Sequence, residues 1–260
     1  MQIRKSFLCL ALALAPGLAA AAPDGSGRDA LKRYIDAVGG AAAVDAVHSF
    51  AVDGTYRLDS AGLEGTITLR FQRPDKLLFR VEIEGFGKLE NGFDGEVAWR
   101  LDPRTGPSVL EGEEADATRK WLARGFSLLP SLAAFRSIGP AQSSEHEGAV
   151  CTRVTLTLAA TGESYSDCFD PQTGLLVGRT ETLSTPRGPE EMLGSMAEYR
   201  RFGDLLIATR WSHRAGSQTW SATYDKVELN RVDPSVFTPP AEIRALVDAA
   251  AEEEAPAALP

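Results

Sequence analysis

His48, His146 and His213 are the only imidazoles in the chain, and imidazole is the side chain that most often binds zinc or moves a proton near neutral pH. Either role needs partners. A zinc site gathers several nitrogen, sulfur or carboxylate ligands, and a general base must lie within hydrogen-bond reach of the group it deprotonates. The three histidines are far apart and have no acidic neighbours at ligand spacing, so neither a metal site nor a catalytic histidine is expected. Cys-x-x-Cys, His-Glu-x-x-His, Gly-x-Ser-x-Gly and phosphate-loop patterns do not occur. Gly125-Phe126-Ser127 lacks the second glycine of a nucleophile elbow, and the glycine-rich run from Gly85 to Gly92 reads as a hairpin turn. Carboxylate pairs such as Glu82 with Glu84 alternate outward from a strand, whereas Glu113 with Glu114 open a helix, where negative charge suits the helix dipole. These residues lead to the expectation of a protein without catalysis and without a cofactor.

The cysteines carry a different chemistry. Cys9 lies in MQIRKSFLCLALALAPGLAAAAP, in which Arg4 and Lys5 precede an apolar run and a string of alanines, the layout of a secretory signal peptide. Residues 1–21 are therefore expected to be removed after Ala21, exporting the rest; Pro16 and Gly17 interrupt a run already short for a membrane anchor. Cys151 and Cys168 remain, and an oxidising compartment allows them to pair. A hairpin through residues 160–162 would set them nearly opposite, on the face shared by Arg153, Thr155, Ser164 and Ser166, so a disulfide on the outer face is expected, with two free thiols as the alternative. The net charge of -9 becomes more negative once Arg4 and Lys5 are lost, which argues against a nucleic-acid or anionic-membrane surface.

Roughly 240 residues remain for folding, enough for one large all-β domain or two small ones. Leu31, Tyr34, Ile35 and Val38 recur at helical spacing before Gly39 and Gly40, and a second short helix covers 41–47. Period-two segments then dominate, at 49–58, 63–72, 77–84, 88–93, 96–101 and 108–111, and again at 143–146, 150–158, 163–170, 175–183, 191–202, 205–213 and 218–229. Between the two runs, 113–135 reads as helix, break, helix, with Trp121, Leu122, Phe126, Leu128, Leu129, Leu132 and Phe135 as its apolar positions. Residues 22–240 form the β domain on this reading, and 241–260 supply a short helix and a disordered acidic tail.

About a dozen antiparallel strands with few helices predict one large curved sheet that forms an incomplete, half-open barrel. Its strands carry large apolar side chains: Phe50, Tyr56, Phe71, Phe79, Trp99, Trp211, Trp220 and Tyr224. The stretches YIDAVGGAAAVDAVHSFAVDGTY, GFDGEVAWRLDPRTG, CFDPQTGLLVGR, EYRRFGDLLIATRWS and VELNRVDPSVFTPP, in that order, resemble the LolA-like superfamily and its outer-membrane lipoprotein-sorting proteins. The resemblance implies a bent sheet with helices as a lid over an apolar cavity for acyl chains. It implies a periplasmic carrier or chaperone for lipids or lipoproteins, a monomer that takes cargo from an inner-membrane donor and gives it to an outer-membrane acceptor. Phe50, Tyr56, Ile67, Leu69, Phe71, Phe79, Val81, Trp99, Trp121, Leu128, Leu129, Leu132, Phe135 and Trp211 are the expected cavity lining. The alternative is an envelope sensor that presents the same sheet to a membrane-protein partner. The paired cysteines and the acidic tail depart from the typical carrier.

Overall fold

The computed structural model describes residues 25–125, 129–185 and 188–254. The expected signal segment, Leu128 and the last six residues of the tail lie outside the described residues.

Among the described residues every strand pairing is antiparallel. The first meander comprises β1 (Ser49–Leu58), β2 (Leu63–Gln72), β3 (Lys76–Ile83), β4 (Gly87–Phe93), β5 (Ala98–Asp102) and β6 (Gly106–Leu110). The second comprises β7 (Phe135–Ile138), β8 (Gln142–His146), β9 (Ala149–Leu158), β10 (Ser164–Phe169), β11 (Leu176–Thr185), β12 (Gly188–Phe202), β13 (Leu205–Ala215) and β14 (Gln218–Leu229). Among the described residues these make one sheet in the order β6-β5-β4-β3-β2-β1-β14-β13-β12-β11-β10-β9-β7, with β8 paired to β9. It is mainly-β and open: β6 and β7 end it and do not pair with each other.

The two meanders join where the first strand meets the last, along β1 and β14. Asn230, just past β14, holds that seam. Its side-chain oxygen accepts from the backbone amides of His48 (2.6 Å) and Ser49 (3.2 Å), and its amide donates to the Ala46 carbonyl (2.9 Å). Asn230 has a φ of 58°, a left-handed conformation that asparagine tolerates better than most side chains.

The period-two pattern sorts side chains between two faces. Ile67, Leu69 and Phe71 of β2 and Leu77 and Val81 of β3 are buried on the inner face. Helices cover that face from two sides. Leu31, Tyr34, Ile35 and Val38, on and just after α1 (Ser26–Ala37), join the core with Val44 of α2 (Ala41–Asp45). α3 (Gly112–Gly125) lies near β4 and β5, where Ala115 is buried and the Arg119 guanidinium sits 5.3 Å from the centre of the Phe93 ring.

The outer face has a core of its own. Leu78 and Trp99 pack with Phe237, from the 3-10 turn Pro234–Phe237, and with Ile243 of α4 (Ala241–Glu254). The helix expected to lie outside the β domain therefore contributes a fully buried side chain to the sheet.

The second helix expected within 113–135 does not form in its described part. Leu132–Ala134 is a single 3-10 turn, and Phe135 begins β7. Pro130 has no amide hydrogen for a helical bond, and the Ser131 side chain accepts from the Ala133 amide and caps the short turn. Phe135 then pairs with Leu158 along the open edge of β9, where the backbone groups find partners between strands.

Cys151 and Cys168 are bridged, with their Cα atoms 5.5 Å apart. Cys168 faces Arg153 in the β9–β10 register, so the bridge runs diagonally. It was expected on the outer face, and both cysteines are buried there. The reason is β8. Its His146 ring lies against Gly178, the residue paired with Cys168, and its Nε2 is 2.8 Å from the Ser195 hydroxyl of β12. The bridge closes a loop over a separation of 17 residues, and its removal by the double change Cys151→Ala and Cys168→Ala is expected to lower stability by about 3 kcal/mol. Urea unfolding of oxidised wild type and variant measures the difference.

Candidate functional site

A cavity of about 420 Å³ opens on the inner face, between the β1–β4 side of the sheet and β11–β14. Phe50 and Tyr56 of β1, Ile67, Leu69 and Phe71 of β2 and Phe79 of β3 form one wall, with Asn91 of β4 beside them. Arg179, Glu181 and Leu183 of β11, Met192 and Met196 of β12, Trp211 and His213 of β13, and Trp220, Ala222 and Tyr224 of β14 form the other. On β1–β4 and β12–β14 each lining residue is an even number of places from a core residue on its own strand, whereas on β11 a register irregularity between the Cys168–Gly178 and Phe169–Leu176 pairs switches the parity, so that Arg179, Glu181 and Leu183 face inward at odd spacing from Leu176.

The space exists because small residues stand opposite large ones. Ala222 is paired with both Tyr56 and Trp211, Gly54 with Tyr224, and Gly194 with Arg179 and His213. A Cβ at Gly194 would already lie 3.1 Å from the His213 ring.

The lining is graded. Phe50, Ile67, Leu69, Phe71, Met196, Trp211 and Tyr224 are buried and make the floor. Trp211 stacks on Tyr224 at 6.1 Å, and its indole N–H donates to the Ala208 carbonyl at 2.9 Å. Burial pushes the Tyr224 hydroxyl well above its ordinary pKa, so this floor is aromatic and uncharged. Tyr56, Phe79, Asn91, Glu181, Leu183, His213 and Trp220 are partly exposed and make the rim.

The ionisable residues Arg179, Glu181 and His213 are confined to the β11–β14 wall. The Arg179 guanidinium grips the Asp167 carboxylate with two bonds, Nε to Oδ1 at 2.7 Å and Nη2 to Oδ2 at 2.9 Å, and lies 4.2 Å from the centre of the Tyr165 ring. Burial opposes the arginine's charge, but Asp167, by attraction and hydrogen bonding, together with Tyr165 and Glu181 outweighs it and raises the pKa further. Next to this pair, His213 stacks on Trp220 at 5.5 Å. Burial pushes its pKa down, Glu181 pulls it up and Arg179 pushes it down again, with a net shift below the ordinary histidine value. His213 is thus the neutral imidazole at neutral pH. Its Nδ1 is buried and has no hydrogen-bond partner among the described residues.

Seven of the residues expected to line a cavity come together there: Phe50, Tyr56, Ile67, Leu69, Phe71, Phe79 and Trp211. Val81, Leu129 and Phe135 are buried in the same apolar cluster and Leu132 packs against it, but they do not line the cavity. Phe135 instead meets Tyr165 edge-on, with ring centres 6.4 Å apart. Trp121 lies on α3 and its side chain is outside the described residues, as is all of Leu128.

Trp99 requires correction: it is on the outer face, fully buried against Leu78, Phe237 and Ile243. Its register partner is Gly92, where a Cβ would overlap the indole ring. The glycine makes room for the tryptophan on that side of the sheet.

Trp220 and Tyr224 were recognisable as strand aromatics but were not assigned to the cavity. Their shared parity with Ala222 was the available signal. Arg179, Glu181 and His213 carried a weaker one, because alternating charged residues ordinarily indicate a solvated face. A second hollow, of about 430 Å³, lies at the α2 end, where Ala43, Phe202, Asp204 and Asn230 line a depression more open to solvent.

No protein-family model and no curated protein matches this sequence. Solved structures are similar in fold. A LolA superfamily protein from Nitrosomonas europaea has a TM-score of 0.50 at 10% identity, over 82% of this chain and 98% of that one. A DUF1329 family protein from Desulfovibrio piger has a TM-score of 0.51 at 10% identity, over 82% of this chain and 97% of that one. An open antiparallel sheet curved around an apolar cavity, with helices covering its inner face, places this chain in the class of LolA-like folds.

Proposed function

We propose that the protein is a periplasmic carrier that shelters an acyl chain of a lipid or lipid-modified protein in the inner-face cavity. It works by binding and release, without catalysis. The observation that supports this most directly is the hollow itself, about 420 Å³ with a floor of Phe50, Phe71, Trp211 and Tyr224. That volume is in the lower part of the range of roughly 300–1,000 Å³ typical of small-molecule sites. Each methylene moved from water into such a floor contributes about 0.8 kcal/mol. Transfer from an inner-membrane donor to an outer-membrane acceptor then needs only an acceptor that holds the chain more tightly. The LolA-like fold and the signal-like N-terminus support this route.

The test is extraction of the protein, purified from its native envelope without detergent exchange, followed by lipid mass spectrometry. Near-stoichiometric acyl lipid is expected in wild type, and about tenfold less in Ala222→Trp, whose indole would occupy the hollow between Tyr56 and Trp211. Wild type free of lipid, and unable to take up a fluorescent acyl probe, would remove the carrier reading.

A further inference from the structure

The hollow ends where helices fill the sheet. On the β9–β10 side, Leu31, Tyr34 and Ile35 of α1 share an apolar cluster with Val154, Leu156 and Phe169, all at most 3% exposed. The rings of Tyr34 and Phe169 lie 5.4 Å apart. Among the described residues, neither β9 nor β10 contributes to the lining. On the β4–β5 side, Phe93 and Ala98 are buried in one cluster with Ala115 of α3. The second hollow, at the α2 end, shares no described lining residue with the first, so it adds no depth to it.

The floor leaves little room for swelling. Phe50, Phe71, Trp211 and Tyr224 are at most 7% exposed. The rings of Phe50 and Phe71 lie 6.3 Å apart, and the Trp211 indole is tied to the Ala208 carbonyl. Close-packed side chains of this kind resist being moved apart. A chain carbon takes about the space of a water molecule in the liquid, roughly 30 Å³, so a hollow of about 420 Å³ holds about fourteen of them. That is the length of one acyl tail.

The number of tails then decides which lipids can leave a bilayer. A tail is drawn into the hollow by the methylenes it removes from water. A lipid with one tail regains in the protein most of what it gave up in the membrane. A lipid with two or three tails regains one, and the others stay in water.

We propose that the cavity shelters a single tail to a depth of about fourteen carbons, so that the cargo is a single-tailed amphiphile of the lysolipid kind and not a diacyl lipid or a triacylated protein. This rests on the carrier reading and specifies its ligand class.

The experiment uses lysophosphatidylcholines from decanoyl to stearoyl, all with the same head, as monomers in competition with a fluorescent acyl probe. Wild-type affinity is expected to rise about fourfold with each added methylene as far as the myristoyl chain, and to level off beyond it. Ala222→Leu adds three carbons to the hollow, and its affinities should level off about three carbons earlier. In a second arm the protein is mixed with vesicles of dimyristoylphosphatidylcholine that contain myristoyl-lysophosphatidylcholine, and is recovered by size exclusion. The protein-bound lipid is expected to be enriched in the lysolipid at least about a hundredfold over its share of the vesicle. Affinity that keeps rising through stearoyl, a levelling point that Ala222→Leu does not move, or diacyl lipid recovered in proportion to its share would each overturn the single-tail inference and leave the carrier reading intact. If the probe does not bind wild type and no lipid is recovered in either form, the carrier reading fails and this inference with it. The wild-type measurements are decisive even if Ala222→Leu does not fold.

Discussion

Asp167→Ala is expected to lower the free energy of unfolding by about 3–5 kcal/mol, the largest effect of any single polar substitution in the inner wall. Asp167 and Arg179 are both almost wholly buried, at 1% and 5% exposure, and they meet in a two-bond pair. Truncating the carboxylate leaves the guanidinium charged and facing the Tyr165 ring, without the partner that offset its dehydration. Breaking a buried pair is costly for this reason, although the pair itself contributes little over an apolar replacement. The double change Asp167→Leu with Arg179→Met should therefore recover most of the loss. Urea unfolding of the three proteins measures both effects. A single-variant loss below about 1 kcal/mol would mean that water reaches the arginine and that the wall is not dry.

Trp99→Ala is expected to cost a similar amount, about 3–5 kcal/mol, and to leave acyl-chain binding unchanged. The indole is fully buried, and its N–H has no hydrogen-bond partner among the described residues. The loss is thus one of packing against Leu78, Phe237 and Ile243. Truncation should also loosen α4, because Ile243 would lose part of the surface it covers. Unfolding measurements give the stability term, and the acyl-probe assay gives the binding term at a temperature where the variant remains folded. Weaker probe binding with little loss of stability would put the tryptophan back in the cavity. Trp211 is alike in type and in burial, and only the face each occupies separates packing under α4 from a place in the cavity wall.

Much of the architecture was legible in the residue order. The alternating runs at 49–58, 63–72 and 218–229 coincide with β1, β2 and β14, because in a strand the side-chain period is two and each run ends in turn residues. The pairing of Cys151 with Cys168 followed from the same hairpin geometry. The open LolA-like sheet followed from the number of strands and the motif order. Phe50, Tyr56, Ile67, Leu69, Phe71, Phe79 and Trp211, named as cavity lining from the apolar strand faces together with the LolA-like resemblance, lie around the cavity.

The remainder depended on long-range contacts. Parity says that Val97, Trp99 and Leu101 share a face, but it cannot say which face when both are covered, and here α4 and the Pro234–Phe237 turn bury the outer one. Local propensity for helix around Leu132 gave way to the free edge of β9, which offered Phe135 a strand partner. Arg179 alternates with its neighbours like a surface residue, yet it faces inward, where Asp167 on the neighbouring strand supplies its countercharge. Local order sets the period and the register within each hairpin. Which face is sealed, and which is left hollow with a polar rim, was decided only when distant segments met across the sheet.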